Sequence, residues 1–142
     1  MHGYATVWLV TQRTDDELAT QWHDLMGRYH RTTCALDRTL TTLHGLTASD
    51  FEVLQQLHAC RLGEPVRMGE LGERVHLSQS ALSRLITRLE GAGLVERGTC
   101  ADDRRSAWTR VTDAGSRRFL EARPTQRAIL RERMTPSADA PR

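Results

Sequence analysis

Apolar residues recur along most of this chain with a helical period, and the period changes only near residue 94. Leu18, Trp22, Leu25, Tyr29, Leu36, Leu40 and Leu43 follow at steps of three, four and seven, which predicts a long amphipathic helix from Asp15 to Leu43. Thr14-Asp15-Asp16-Glu17 opens it as a capping box with acids at the positive helix end, and His44-Gly45 closes it. A helix far beyond the average of roughly 11–12 residues, in a chain this small, is expected to pack against a partner. Thr47-Ala48-Ser49-Asp50 then caps a second helix with Phe51, Val53, Leu54 and Leu57 inward, broken by Gly63-Glu64-Pro65. A third runs from Val66 to Val75 with Met68, Leu71 and Val75 inward, and the link His76-Leu77 leads to Ser78 as the N-cap of a fourth. That helix reaches about Glu90 and stops at Gly91-Ala92-Gly93. Two short helices joined by so short a turn predict a helix-turn-helix.

Beyond Gly93, Leu94-Val95-Glu96-Arg97 and Trp108-Thr109-Arg110-Val111 read as two strands separated by a polar loop, Gly98 to Ser106, too long for a two-residue turn. Thr112-Asp113 caps a last helix carrying Phe119, Leu120, Ile129 and Leu130, in which Pro124 is expected to kink or break the chain near Ala122-Arg123. The Pro/Ser/Ala-rich stretch 135–142 reads as a flexible tail.

Composition narrows the class. With 142 residues and 39% apolar content the chain fits one compact domain, alone or with a dimerisation arm, and is too apolar for a disordered polymer. No apolar run approaches the roughly 18 residues of a membrane span. Ala5 to Val10 lacks the basic flank of a secretory signal. Cys34, Cys60 and Cys100 are odd in number and widely spaced, which argues against a disulfide framework and for a cytoplasmic setting. All twenty basic residues are Arg and none is Lys. Genome composition alone can produce that bias, yet every cation is a planar fork suited to phosphates and base edges. Residues 1–60 carry four Arg against seven acids, whereas residues 61–142 carry sixteen against eleven, so any basic partner surface lies in the second half.

The fourth helix carries the candidate chemistry. Leu82, Leu85, Ile86 and Leu89 fall within an arc of about 100°, the stripe expected to be buried. The opposite side holds Gln79, Ser80, Ser83, Arg84, Thr87 and Arg88, with no acid among them. A solvated helix face ordinarily mixes signs. This one offers amide, hydroxyl and guanidinium groups, which contact base edges and phosphates. Its small serines allow close approach to a major groove, and Ser78, Gln79 and Ser80 put the positive helix end near a phosphate. Asp102-Asp103-Arg104-Arg105 sits at the tip of the expected hairpin, where a carboxylate can orient an Arg into a narrow minor groove.

Leu71-Gly72-Glu73-Arg74, then Leu77-Ser78-Gln79-Ser80-Ala81-Leu82-Ser83-Arg84-Leu85 and Arg88-Leu89-Glu90-Gly91-Ala92-Gly93-Leu94-Val95-Glu96-Arg97, resemble the helix-turn-helix of the MarR family of bacterial regulators. Asp103-Arg104-Arg105, five residues, and Val111-Thr112-Asp113-Ala114-Gly115 resemble its D-x-R-x5-L-T-x-x-G pattern, with Val111 where Leu is usual, and Leu46-Thr47 also fits. The resemblance spans roughly 15–133. It implies a mainly α protein with a small β-hairpin wing: a winged helix-turn-helix over 46–111, long dimerisation helices over 15–45 and 112–134, an extension over 1–14 and a tail over 135–142. It further implies a homodimer that binds a pseudopalindromic operator in double-stranded DNA, usually as a repressor, with no cofactor and no membrane association. By position, Ser80, Ser83 and Arg84 would face the major groove, Asp103 would brace the wing and Arg105 would enter the minor groove.

Relatives close with a further helix that interlocks with the partner's first helix, and Thr135-Pro136-Ser137 stands where it would begin. The interface is therefore expected to be completed otherwise, with Val7-Trp8-Leu9-Val10 as a candidate cover. Relatives often bind small aromatic or phenolic anions between the dimerisation helices and the winged domain. Here Trp22, His23, Tyr29, His30, Arg31 and His44 are the candidates, although Trp22 and Tyr29 fit equally as core or interface residues.

His23 and His30 are two turns apart, too distant to chelate one ion together, and neither H-x-x-x-H nor C-x-x-C occurs, so no metal site is expected. Among the thiols, Cys100 near Arg97 and Arg104 is the better redox candidate; oxidant-sensing relatives carry theirs where this chain has Trp22 to Leu25. No hydrolase, phosphate-loop or metalloprotease motif is present, so an enzyme is not expected. The alternatives are a winged-helix protein-interaction module, or a thiol-based redox-sensing regulator.

Overall fold

The computed structural model describes residues 14–60, 63–100 and 103–135, with only the backbone described at 100 and 103–105. The expectations placed on 1–13, on Asp102 and on 136–142, the apolar run Val7-Trp8-Leu9-Val10 among them, lie outside the described residues.

Helix α1 spans Asp15–His44, α2 Ala48–His58, α3 Met68–Val75, α4 Gln79–Gly91 and α5 Asp113–Met134; the strands are β1 Val66–Arg67, β2 Val95–Cys100 and β3 Asp103–Val111. Local chemistry sets these ends. Thr14 and Glu17 form the reciprocal capping box of α1, Thr47 and Asp50 that of α2, and Ser78 and Thr112 accept from the backbone N–H three residues on at α4 and α5. Gly45 ends α1 in the left-handed region at φ 67°, returning its N–H to Leu40 and Thr41, a conformation that costs glycine nothing.

Leu36, Leu40 and Leu46 from α1 and its turn, Phe51, Leu54 and Leu57 from α2, Leu71, Leu82 and Ile86 from the helix-turn-helix, and Phe119 and Ala122 from α5 form one buried cluster. The Phe51 and Phe119 rings meet at 5.2 Å and a 45° tilt. The three strands form an antiparallel sheet in the order β1-β3-β2.

Four expectations need correction. Val66–Arg67 is a strand rather than the start of a helix, pairing Val66 with Thr109 and Arg67 with Trp108; it follows Pro65, and its two residues are too few to show a period. The hairpin strands run to Cys100 and from Asp103, so the stretch from 98 to 106 is mostly ladder rather than loop, with an irregularity between Thr99 and Cys100. The run from Gly98 to Ser106 carries no alternation of apolar and polar residues, which hid it. Helix α2 stops at His58, with Ala59 as C-cap, ahead of Gly63. Helix α5 continues unbroken through Pro124. Pro124 and Leu120, whose carbonyl loses an N–H partner, are both exposed, so water can satisfy that carbonyl.

Candidate nucleic-acid interface

Helix α4 divides as its sequence requires. Leu82, Leu85, Ile86 and Leu89 are buried, while Ser78, Gln79, Ser80, Ser83, Arg84, Thr87 and Arg88 are exposed on the outer side. The seven outward residues are thus brought together on one surface, but their polar groups differ in freedom. Ser78 Oγ accepts from Ala81 N–H at 3.2 Å and lies 3.3 Å from Ser80 Oγ. Gln79 Nε2 donates to the Met68 carbonyl at 3.5 Å, packed over Gly72, where any Cβ would collide with it. Thr87 Oγ1 donates back to the Ser83 carbonyl at 2.9 Å.

Arg88 departs most from its expected role. Both its terminal nitrogens donate to Asp50, Nη1 to Oδ2 and Nη2 to Oδ1, each at 2.7 Å. Asp50 is fully buried and its Oδ2 also accepts Thr47 N–H at 2.9 Å. The hydrogen bond to Asp50 holds the Arg88 guanidinium still more firmly protonated, against a smaller opposing effect of desolvation. Arg88 therefore clamps α4 to the start of α2. It is not a free cation on the outer surface. Arg84, one turn earlier, has no hydrogen bond or ion pair among the described residues and is the guanidinium free to reach a ligand.

A second tie extends inward from the same place, because Ala48 N–H donates to Asp37 Oδ1 of α1 at 2.7 Å. The start of α2 is thus held by α1 on one side and by α4 on the other. At the root of the hairpin, Arg110 pairs with Glu96 at 2.7 Å and lies over the Trp108 ring at 5.6 Å, while Arg97 pairs with Glu90 at 3.2 Å. Asp103, Arg104 and Arg105 lie at the tip end of β3, and their side chains lie outside the description.

The proposed small-molecule residues are scattered. Trp22, His23, Tyr29, His30 and Arg31 are exposed along α1, and His44, at its far end, hydrogen-bonds Thr125 Oγ1 at 2.8 Å. Of these, Tyr29 lines a cavity of about 450 Å³, bounded also by Thr33, Glu52, Gln56, Arg74 and His76. Burial pushes the Glu52 carboxyl above its ordinary range, and Arg127 and His76 offset this in part. Among the described residues no three His, Cys, Asp or Glu side chains converge as a metal cluster, and no helix is long and apolar enough to cross a membrane. Sequence reasoning missed Asp50 as a partner of Arg88, since nothing signals a pair 38 residues apart.

A helix-turn-helix followed by a β-hairpin defines the winged-helix class. The MarR family profile matches residues 44–106. AbsC, a MarR family transcriptional regulator from Streptomyces coelicolor, is 31% identical, with 89% of this chain and 86% of AbsC aligned at a TM-score of 0.72. Sco3205, a MarR family transcriptional regulator from the same organism solved in complex with DNA, is 26% identical, with 85% of this chain and 75% of that one aligned at a TM-score of 0.74. An HTH-type transcriptional regulator of Bacillus cereus is 34% identical over 84 residues, 59% of this chain. That match spans about half, 53%, of the curated relative's length. The chain belongs to the MarR family, whose named members here are transcriptional regulators rather than enzymes.

Proposed function

We propose that two copies of this chain bind a pseudopalindromic operator in duplex DNA and repress transcription. Residues 46–111 serve as the DNA-binding unit, and 15–45 with 112–134 as the dimerisation unit. The observation that carries this reading is the exposed outer side of α4, where Ser80, Ser83, Arg84 and Thr87 stand with Arg84 unpaired, and where the one acid, Glu90 at the C-terminal end, is taken up by Arg97. Ser80, Ser83 and Arg84 face the major groove, Ser78 and Gln79 approach a phosphate, and the tip residues Asp103, Arg104 and Arg105 serve the neighbouring minor groove. That the related Sco3205 was solved in complex with DNA supports DNA as the ligand. Arg88 acts here by fixing the pitch of α4 through Asp50.

The cavity beside Tyr29 is the place for a small aromatic or phenolic effector, since it touches α1, α2 and the α3–α4 link at once. Trp22, His23, His30, Arg31 and His44 lie outside it and are reassigned to the outer surface of α1 and its contact with α5.

The test is binding to the DNA flanking the chain's own gene, measured against salt and against scrambled DNA. Affinity should fall steeply with salt while a large preference for the site remains. Arg84→Ala should cost roughly 1–3 kcal/mol of discrimination at one base position, with thermal stability unchanged. Equal binding to every duplex, or wild-type recognition by Arg84→Ala, contradicts the docking. Salt-sensitive binding to acidic protein in place of DNA would favour the interaction-module alternative.

A further inference from the structure

Charge is distributed around the cavity beside Tyr29 in a way that selects its ligand. Leu36, Phe51, Val75 and Leu77 make part of its wall apolar, and a volume of about 450 Å³ gives room for one or two aromatic rings. Glu52, half-buried, supplies the carboxylate of that wall, and its side chain has no hydrogen-bond or ion-pair partner among the described residues. The two guanidiniums nearby are committed elsewhere. Arg74, on the same wall, pairs with Glu70 and donates to Cys60 Sγ at 3.6 Å. Arg127 donates to the side-chain oxygens of Gln55 and Gln126 and lies over the Phe51 ring at 5.9 Å. His76, the remaining titratable group of the α3–α4 link here, is exposed to water.

An aromatic carboxylate entering this cavity would set its anion beside Glu52, with both guanidiniums already taken. A protonated amine would instead give Glu52 the donor it lacks, in a charge-assisted hydrogen bond. Burial raises the Glu52 carboxyl, with Arg127 and then His76 opposing it, so a cation placed against it offsets a desolvation cost already present in the fold. The geometry points to an arylalkyl ammonium ion as the ligand of this cavity, its ring against Phe51, Val75 and Leu77 and its N–H groups donating to the Glu52 carboxylate. This assignment rests on the cavity being the effector seat, and it reverses the ligand charge that the family resemblance implies. Because Val75, His76 and Leu77 belong to the end of α3 and the link into α4, the occupant touches the helix-turn-helix directly.

The test is calorimetric titration of the full-length protein without DNA, near neutral pH, with three probes that share one ring: 2-phenylethylamine, 2-phenylethanol and phenylacetate. The amine should bind about tenfold or more tightly than the alcohol, the scale of one hydrogen bond to a charged group, and the acetate more weakly than either. Glu52→Gln should remove the advantage of the amine and leave the alcohol unchanged, a split that a merely structural role for Glu52 would not produce. Thr33→Phe fills the cavity from α1 and should weaken all three probes; Ser49→Phe fills it from α2 if circular dichroism shows the first variant unfolded. The charge assignment is overturned if phenylacetate binds as tightly as the amine, or if Glu52→Gln binds the amine like the wild type. In either case the cavity stands as the seat so long as the filling variant blocks binding. Binding that the filling variant leaves intact, or no binding of any probe, overturns the seat and this assignment with it.

Discussion

Asp50 accepts three hydrogen bonds, two from Arg88 and one from Thr47 N–H. The two partners are unequally placed: the Asp50 side chain is 1% exposed, that of Arg88 53%. Arg88→Ala strands a buried carboxylate with one remaining donor. Asp50→Asn leaves a guanidinium that can turn into water. Breaking a fully buried pair costs about 3–5 kcal/mol, and the exposure of Arg88 lowers this to roughly 2–3 for Arg88→Ala and about 1–2 for Asp50→Asn. Denaturant titration should return that order; equal or reversed losses would mean that the clamp is not what positions α4. Glu52 makes the opposite kind of case. Its carboxyl is raised, chiefly by burial, so the folded state holds its proton more tightly than the unfolded state does. Stability on this account is greatest below the unfolded value of about 4.3 and declines as pH rises through the folded value. Glu52→Gln should therefore melt above the wild type at pH 7 and together with it near pH 4. A variant less stable than the wild type at pH 7 would show that the charge is compensated.

At the scale of elements, the close passages matter more than the helices themselves. An ideal Cβ on Gly115 would stand 2.0 Å from the Leu94 carbonyl oxygen and 2.7 Å from Val111 Cγ2. Thr112 closes the same junction, donating N–H to the Leu94 carbonyl at 3.1 Å and Oγ1 to the Gly93 carbonyl at 2.7 Å. The first turn of α5 is thus pressed on the end of the recognition unit, which is the physical content of the glycine in the Val111–Gly115 motif. Gly115→Ala must move backbone and should lower stability by about 1–3 kcal/mol, read as a reduced denaturation midpoint at unchanged slope. An unchanged midpoint would mean that the junction is loose. Helix ends were legible because caps are local: Thr14, Thr47, Ser78 and Thr112 each announce themselves within four residues. The inward face of α4 was legible because four apolar side chains repeat on it. Strand β1 was not, since its two residues are defined by partners 43 and 41 residues away. Nor was the division of α4's outer side into a free Arg84 and a committed Arg88, because only the fold brings Asp50 beneath one of them.

For the whole molecule, the apolar stripe of α1 is continuous in sequence but only half covered. Leu36 and Leu40 are buried under α2 and α5, whereas Leu18, Trp22, Leu25 and Tyr29 on the same stripe are 50–71% exposed. A helix of 30 residues extends about 45 Å, longer than the body of this protomer can cover. A contiguous patch with an indole at its centre is costly to leave in water, and a second copy would supply the matching patch under two-fold symmetry. If that copy is the cover, the wild type sediments as a dimer, and Trp22→Ala combined with Leu25→Arg shifts it to monomer at the same concentration. The helix content of the variant should persist, because neither side chain belongs to the buried cluster. Operator affinity should fall together with the dimer, since each monomer then binds one half-site and loses the gain from linking two. A wild type that sediments as a monomer at concentrations where it still binds a full operator would remove this account. So would a double variant that remains dimeric, which would put the interface on the exposed Leu120 side of α5.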